Sequence, residues 1–142
     1  MSLLSPKPGE IIDRLSILEL KIEKGGKMGK STTHFEAEKA SLQEVLSDWD
    51  MGLIDSYSFS MDEELKKVVD DIAIRKNALA AINALIWDAE DGVRNPESDY
   101  MTLANLAKNI ALWNDARASH IRKLDALFGV PGEPEKLYEG QG

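Results

Sequence analysis

The feature that most constrains the fold is the stretch of residues 100–128, where apolar residues recur at helical spacing. At about 100° per residue these apolar residues form one stripe along a helix. Asn114 and Arg117 lie within the stripe rather than beside it. A buried amide or guanidinium costs free energy unless it is hydrogen-bonded or paired. The sequence therefore predicts a polar layer crossing an apolar helical bundle. The apolar members of the stripe are Leu103, Leu106, Ile110, Ile121, Leu124 and Phe128.

The remaining chain reads as further helices, and no segment has the alternating pattern of a strand. We predict an all-α, four-helix-bundle-like fold in a single domain, residues 1–142, with an irregular tail over residues 131–142. Two long helices form an antiparallel hairpin, and two shorter helices pack against it. The predicted hairpin helices cover about residues 61–94 and 96–128, and the shorter helices about residues 8–24 and 33–49.

The first helix has apolar residues on two sides. Ile11, Leu15 and Leu18 form its inner face, whereas Ile17 and Leu20 lie roughly opposite. A helix with two apolar sides contacts neighbours on both. We therefore expect a homo-oligomer whose contact includes Ile17 or Leu20.

Polar residues also fall on the inner arc of the third helix. Because an antiparallel hairpin places Arg117 level with residue 74, Asp71, Arg75 and Asn114 are expected in one layer with it. Two guanidiniums call for a further carboxylate, and Glu19 falls on the inner face of the first helix. Asn83, Glu90 and Arg94 follow along the edge of this arc with Trp87, and the first three are expected to form a second cluster nearer the turn. The candidate polar residues of both clusters are Glu19, Asp71, Arg75, Asn83, Trp87, Glu90, Arg94, Asn114 and Arg117.

These residues allow two interpretations. In the first, ion pairs and amides hold the helices in register, a well-attested use of buried polar groups. In the second, the arginines line a pocket for a small anionic ligand, because guanidinium forks match carboxylate and phosphate. The pairing of Arg75 and Arg117 separates the two interpretations. A structural layer pairs both with protein groups, whereas an anion site leaves them partly unpaired.

Several classes of chemistry have little support. The chain has no cysteine, which excludes disulfides and thiolate zinc sites, and neither of its two histidines follows a glutamate at the spacing of di-iron bundles. We expect no metal and no cofactor. Residues 25–31 resemble a phosphate-binding loop, but Lys24 occupies the position of its first glycine and a helix precedes it where the motif needs a strand. We expect a mobile connector that binds no nucleotide.

Charge and hydropathy restrict the partners. The net charge is −8, and no run interleaves basic and aromatic residues, so nucleic acid is not an expected partner. No apolar run approaches the ~20 residues of a membrane helix, and the residues before the first helix lack the basic segment and apolar core that are typical of a signal peptide. The expected location is the cytoplasm.

Four motifs resemble those of a family of small bacterial all-helical proteins of unknown function. They are PGEIIDRL at residues 8–15, NALIWDAEDGVR at 83–94, NDAR at 114–117 and EKLY at 135–138. The resemblance is weak between residues 25 and 60, and Lys7 stands where a serine or threonine cap is expected. It implies no known activity, and it implies a link to surface-glycan and lipopolysaccharide genes.

The function expected from these observations is a non-enzymatic interaction module that binds an unidentified protein as a homo-oligomer. The alternative is a small helical enzyme or ligand-binding protein, of the chorismate-mutase kind, that grips an anionic metabolite with arginines.

Overall fold

The computed structural model of the protein describes residues 6–57 and 62–131. These residues form four helices and contain no strand, which confirms the predicted all-α, bundle-like fold. In chain order the helices are α1 (Pro8–Lys27), α2 (Thr33–Asp55), α3 (Asp62–Arg94) and α4 (Tyr100–Leu127). None of the four is both long and apolar enough to cross a membrane.

Helix α1 lies at the centre of the bundle. The helices α3 and α4 pack along each other as the predicted antiparallel hairpin, α1 packs on both of them, and α2 packs on α1. Leu18, Leu79 and Leu124 are fully buried and come from α1, α3 and α4. Ile17 and Leu20 are half-buried, and they lie on the same side of α1 as Ser16 and Lys24, which contact Asn83 and Asp88 of α3.

The two shorter helices extend further than predicted. Helix α1 continues through Gly25 and Gly26 to Lys27, and the chain turns at Gly29, whose φ of 73° suits glycine. Helix α2 continues past its predicted end at residue 49 to Asp55, because Leu53 is buried in the core. The tail from residue 132, which includes the EKLY motif, lies outside the described residues.

The fourth helix begins later than predicted. Pro96 lies in a turn, and α4 starts at Tyr100 behind Asp99, whose carboxylate accepts a hydrogen bond from the Thr102 amide at 2.7 Å. This hydrogen bond lowers the pKa of Asp99. The longer turn moves α4 relative to α3. Arg75 therefore lies beside His120, and Arg117 lies about one helical turn nearer the hairpin turn than expected.

The first turn of α1 is held by α4. Its N-cap is Lys7, whose side chain offers no acceptor for the free amides of the turn. Asp125 supplies one instead, accepting from the Gly9 amide at 2.8 Å. A Cβ at Gly9 would lie 2.4 Å from the Ile121 carbonyl oxygen, so only glycine allows this close approach. The Trp49 indole of α2 also donates to the Pro6 carbonyl at 3.2 Å.

Candidate functional site

Four polar side chains from α1, α3 and α4 meet in a network that we call the polar core: Asp13, Ser16, Asn83 and Arg117. The Arg117 guanidinium donates to both oxygens of the Asp13 carboxylate, from Nε to Oδ1 at 2.9 Å and from Nη2 to Oδ2 at 2.7 Å. The Asn83 amide donates to Asp13 Oδ1 at 2.9 Å and to Ser16 Oγ at 2.7 Å. Ser16 in turn donates to the Asp13 carbonyl at 2.8 Å. The network therefore ties three helices together.

The polar core is largely removed from solvent. Asp13 and Asn83 are buried, with 7% and 4% of their surface exposed, and the Arg117 side chain is 30% exposed. The hydrogen bonds to Asp13 raise the pKa of Arg117 against the opposing effect of burial, and the charges of Asp13 and Glu90 raise it further. A buried carboxylate is tolerated when it is paired in this way. Buried paired groups of this kind can hold helices in register.

The predicted layer of Asp71, Arg75, Asn114 and Arg117 is not formed. Arg117 joins Asn83 instead, because the register shift of α4 brings it towards that residue. Arg75 forms a separate cluster with Asp71, at 3.1 Å, and His120, at 3.2 Å. Asn114 is exposed and lies in neither cluster.

The remaining candidates lie outside the polar core. The Glu19 carboxylate is 63% exposed and lies 3.8 Å from Lys39 of α2, so it does not reach the arginines. Arg94 is exposed and pairs with Asp91 of its own helix. Trp87 is half-buried. Glu90 is exposed and acts on Arg117 only through its charge. The predicted second cluster of Asn83, Glu90 and Arg94 is therefore not formed.

Sequence reasoning missed the central residue, Asp13, and with it Ser16. Both lie on the side of α1 that also carries Ile17 and Leu20. The sequence analysis predicted that this side contacts a second copy of the chain. A signal was present, since a carboxylate at helical spacing among those apolar residues is expected to need a partner. His120 was also missed as a neighbour of Arg75, because that contact depends on the register of the hairpin.

The hydrogen bond with Arg75 determines the tautomer of His120. A guanidinium only donates hydrogen bonds, so His120 Nδ1 accepts from Arg75 and the neutral ring carries its proton on Nε2. Burial lowers the pKa of His120, and the positive charges of Arg75 and Lys123 lower it further. His120 is therefore a neutral partner that links α4 to the ion pair on α3.

Asp125 forms a second polar contact between α1 and α4. Burial raises the pKa of its carboxyl group, while the hydrogen bond from the Gly9 amide and the charge of Lys7 act in the opposite direction. The carboxylate also lies at the positive end of the α1 helix dipole, where negative charge is favourable. Asp125 thus replaces the serine or threonine cap that position 7 lacks.

The described residues also form a cleft between α1 and α2, which is poorly suited to an anionic ligand. An open cleft of about 220 Å³ lies between α1 and α2, but its arginine, Arg14, is paired with Glu38 at 2.7 Å. With Glu10 also on its wall, the cleft is acidic. No group of three or more histidine and carboxylate side chains in the described part of the chain could hold a metal ion.

Three of the four motifs noted in the sequence contribute to these contacts. The first supplies Gly9 and Asp13, the second supplies Asn83, and the third supplies Arg117.

Comparisons of the chain with protein-family models, with curated proteins and with solved structures gave no match.

Proposed function

We propose that this protein is a non-enzymatic helical interaction module of the cytoplasm, which acts as a homo-oligomer and binds a protein partner. In this proposal the polar core maintains the shape of the bundle. The resemblance of its motifs would place the module beside surface-glycan genes.

The observation that carries the proposal is the pairing of both candidate arginines. Arg117 donates to both oxygens of Asp13, and Arg75 donates to Asp71 and His120. An anion entering either position would have to compete with a carboxylate already bonded there. This pairing favours a structural role for the two guanidiniums over capture of an anionic metabolite.

The alternative function, a small enzyme or ligand-binding protein for an anionic metabolite, requires one of these ion pairs to open. The acidic cleft between α1 and α2 does not favour that ligand either, because Glu10 and Glu38 both line it. The interaction module requires no such rearrangement.

Thermal unfolding in the presence of inorganic phosphate, sulfate and succinate tests the proposal. We expect no saturable stabilisation by any of these anions, because the guanidiniums of Arg75 and Arg117 are both paired. Sulfate and phosphate should give only the gradual, non-saturable stabilisation that they give to folded proteins in general, and it should be equal in the wild type and in the arginine variants. Saturable stabilisation by one of these anions, abolished in Arg75→Ala or Arg117→Ala and retained in the exposed control Arg122→Ala, would overturn the proposal in favour of the anion-binding alternative.

A further inference from the structure

The negative charge of the chain is concentrated on helix α2. This helix carries six carboxylates and one lysine, so it holds five of the chain's eight net negative charges. In its first half, Glu38 is paired with Arg14 of α1 at 2.7 Å, and Lys39 is the single cation of the helix. The second half has no such compensation, because no lysine or arginine lies between residues 40 and 55.

Four carboxylates in the second half of α2 are exposed. They are Glu44, Asp48, Asp50 and Asp55. Within the part of the chain that the structure describes, none of these side chains forms a hydrogen bond or an ion pair. The C-terminal end of a helix carries partial negative charge, so cations are favourable there, yet α2 has no basic residue in its last turn. The chain therefore leaves this negative charge without compensation.

Two apolar side chains lie among these carboxylates. Met51 and Ile54 are 58% and 52% exposed. At about 100° per residue, they lie roughly 140° and 80° around α2 from Leu46, which is buried in the core. Three of the carboxylates lie roughly 160° to 200° from Leu46, on the side of α2 that faces away from the core. We call this surface the outer α2 face, and its members are Glu44, Asp48, Met51, Ile54 and Asp55.

The carboxylates of the outer α2 face are spread along the helix rather than gathered at one point. From residue 44 to residue 55 the helix rises about 16 Å, or roughly three turns. No group of three or more carboxylate and histidine side chains among the described residues is placed to hold a metal ion. A row of negative charge beside apolar side chains therefore suits an extended ligand better than a single ion.

The sign of the charge identifies the ligand. A second copy of the chain would set carboxylates against carboxylates, and like charges across an interface are costly. An anionic membrane surface would be repelled for the same reason. Residues 132–142 hold three glutamates and one lysine, so the end of the chain does not complement this face either. A helix with lysine or arginine beside an apolar stripe complements it in both charge and hydropathy.

We propose that the outer α2 face binds a basic amphipathic helix of a partner protein. Apolar side chains of the partner pack on Met51 and Ile54, and its lysines or arginines pair with the carboxylates on either side. Methionine suits this role because its flexible side chain adapts to different apolar surfaces. This inference rests on the proposed function, because it names the surface and the chemistry through which the module recognises its protein partner.

Titration of the full chain with model helices tests the inference. The probe is a peptide of leucine and lysine, about 18 residues long, with every leucine on one face of the helix. A scrambled peptide of the same composition, which has no apolar face, is its control. We expect the amphipathic peptide to bind at least about tenfold more tightly than the scrambled one, and raising the ionic strength from about 0.05 M to about 0.5 M should weaken it. In an NMR titration, the amide shifts should change mainly within residues 44–55.

Charge variants test the role of the carboxylates. Asp48→Asn together with Asp55→Asn should raise the dissociation constant of the amphipathic peptide by at least about tenfold. Glu97→Gln together with Asp115→Asn is the matched control, since both residues are exposed outside α2 and the same charge is removed. The control pair should leave the dissociation constant nearly unchanged.

A second pair of variants tests the apolar contact. Met51→Ala should weaken binding of the amphipathic peptide, whereas Met101→Ala, at a position that is 71% exposed on α4, should not. Circular dichroism should show the same helix content in all variants, because the substituted side chains are exposed.

Three outcomes would overturn the inference. Equal weakening by the two charge pairs would show that the peptide responds only to the net charge of the chain. Equal binding of the two peptides would show that Met51 and Ile54 do not contribute. A wild type that binds neither peptide at low ionic strength would show that the outer α2 face is only a solvated surface. In each case the anion titration still decides independently between the interaction module and the anion-binding alternative.

Discussion

Replacing Arg117 by alanine tests the role of the polar core most directly. The substitution removes two of the three side-chain hydrogen bonds to the Asp13 carboxylate, whose side chain is only 10% exposed. Breaking a buried ion pair by removing one partner typically costs about 3–5 kcal/mol. Because Arg117 is 30% exposed and Asn83 still donates to Asp13, we expect a loss near the lower end, about 3 kcal/mol.

Urea denaturation followed by circular dichroism measures this loss. Protein concentration must be held constant, because self-association would add to the apparent stability. Arg122→Ala is the matched control, since Arg122 is exposed on the same helix and its loss should change stability by no more than about 0.5 kcal/mol. The double variant Asp13→Ala with Arg117→Ala should lose less than the sum of the two single losses, because the two residues form one pair.

The reasoning would be refuted if Arg117→Ala were no less stable than Arg122→Ala. If Arg117→Ala were more stable than the wild type, the result would indicate that the Arg117 guanidinium destabilises the fold and is retained to bind an anion.

Three further predictions concern the contacts around the polar core. Gly9→Ala should lower the free energy of unfolding by about 1–3 kcal/mol, because the new Cβ would meet the Ile121 carbonyl. Gly26→Ala, which has open space around it, should raise it by about 0.5–1 kcal/mol. Equal urea midpoints of the two variants would contradict this prediction. The pKa of Asp125 is raised in the folded state, so the wild type should lose stability relative to Asp125→Asn as the pH rises from 3.8 through the folded-state pKa. If the unfolding free energies of the two proteins changed in parallel with pH, the raised pKa would be contradicted. The pKa of His120 is lowered in the folded state, so the wild type should lose stability relative to His120→Gln as the pH falls below 6.5. An NMR titration that gave His120 a raised pKa would disprove its role as a neutral acceptor for Arg75.

The helices were predictable from sequence because hydrophobic periodicity is local. The stripe on α4 identified Leu124 and Phe128, which are buried, and it identified Arg117 as a polar residue needing a partner. The helix ends were less predictable. Asp99 and the turn before it move the start of α4, and tertiary burial of Leu53 prolongs α2.

The polar core was only partly predictable because its partners are distant in sequence. Asn83, at the edge of the inner arc of α3, and Arg117, within the stripe of α4, were both identified as candidates, but they were assigned to different clusters. Their meeting depends on the register of the hairpin, which the turn sets. It also depends on which side of α1 faces the hairpin, and the sequence analysis assigned the side of Ile17 and Leu20, which also carries Asp13, to a contact with another chain. Asp13 was therefore not selected.

The central position of α1 has a consequence for the order of folding. Its contacts with α4 join residues far apart in the chain, since Gly9 and Asp125 are 116 positions apart and Asp13 and Arg117 are 104 apart. The hairpin closes through a short turn, and closing a longer loop costs more conformational entropy. We therefore expect the hairpin to assemble before α1 docks. Stopped-flow measurements should show that Arg117→Ala mainly accelerates unfolding, whereas Ala89→Gly, at a buried position of α3, mainly slows folding.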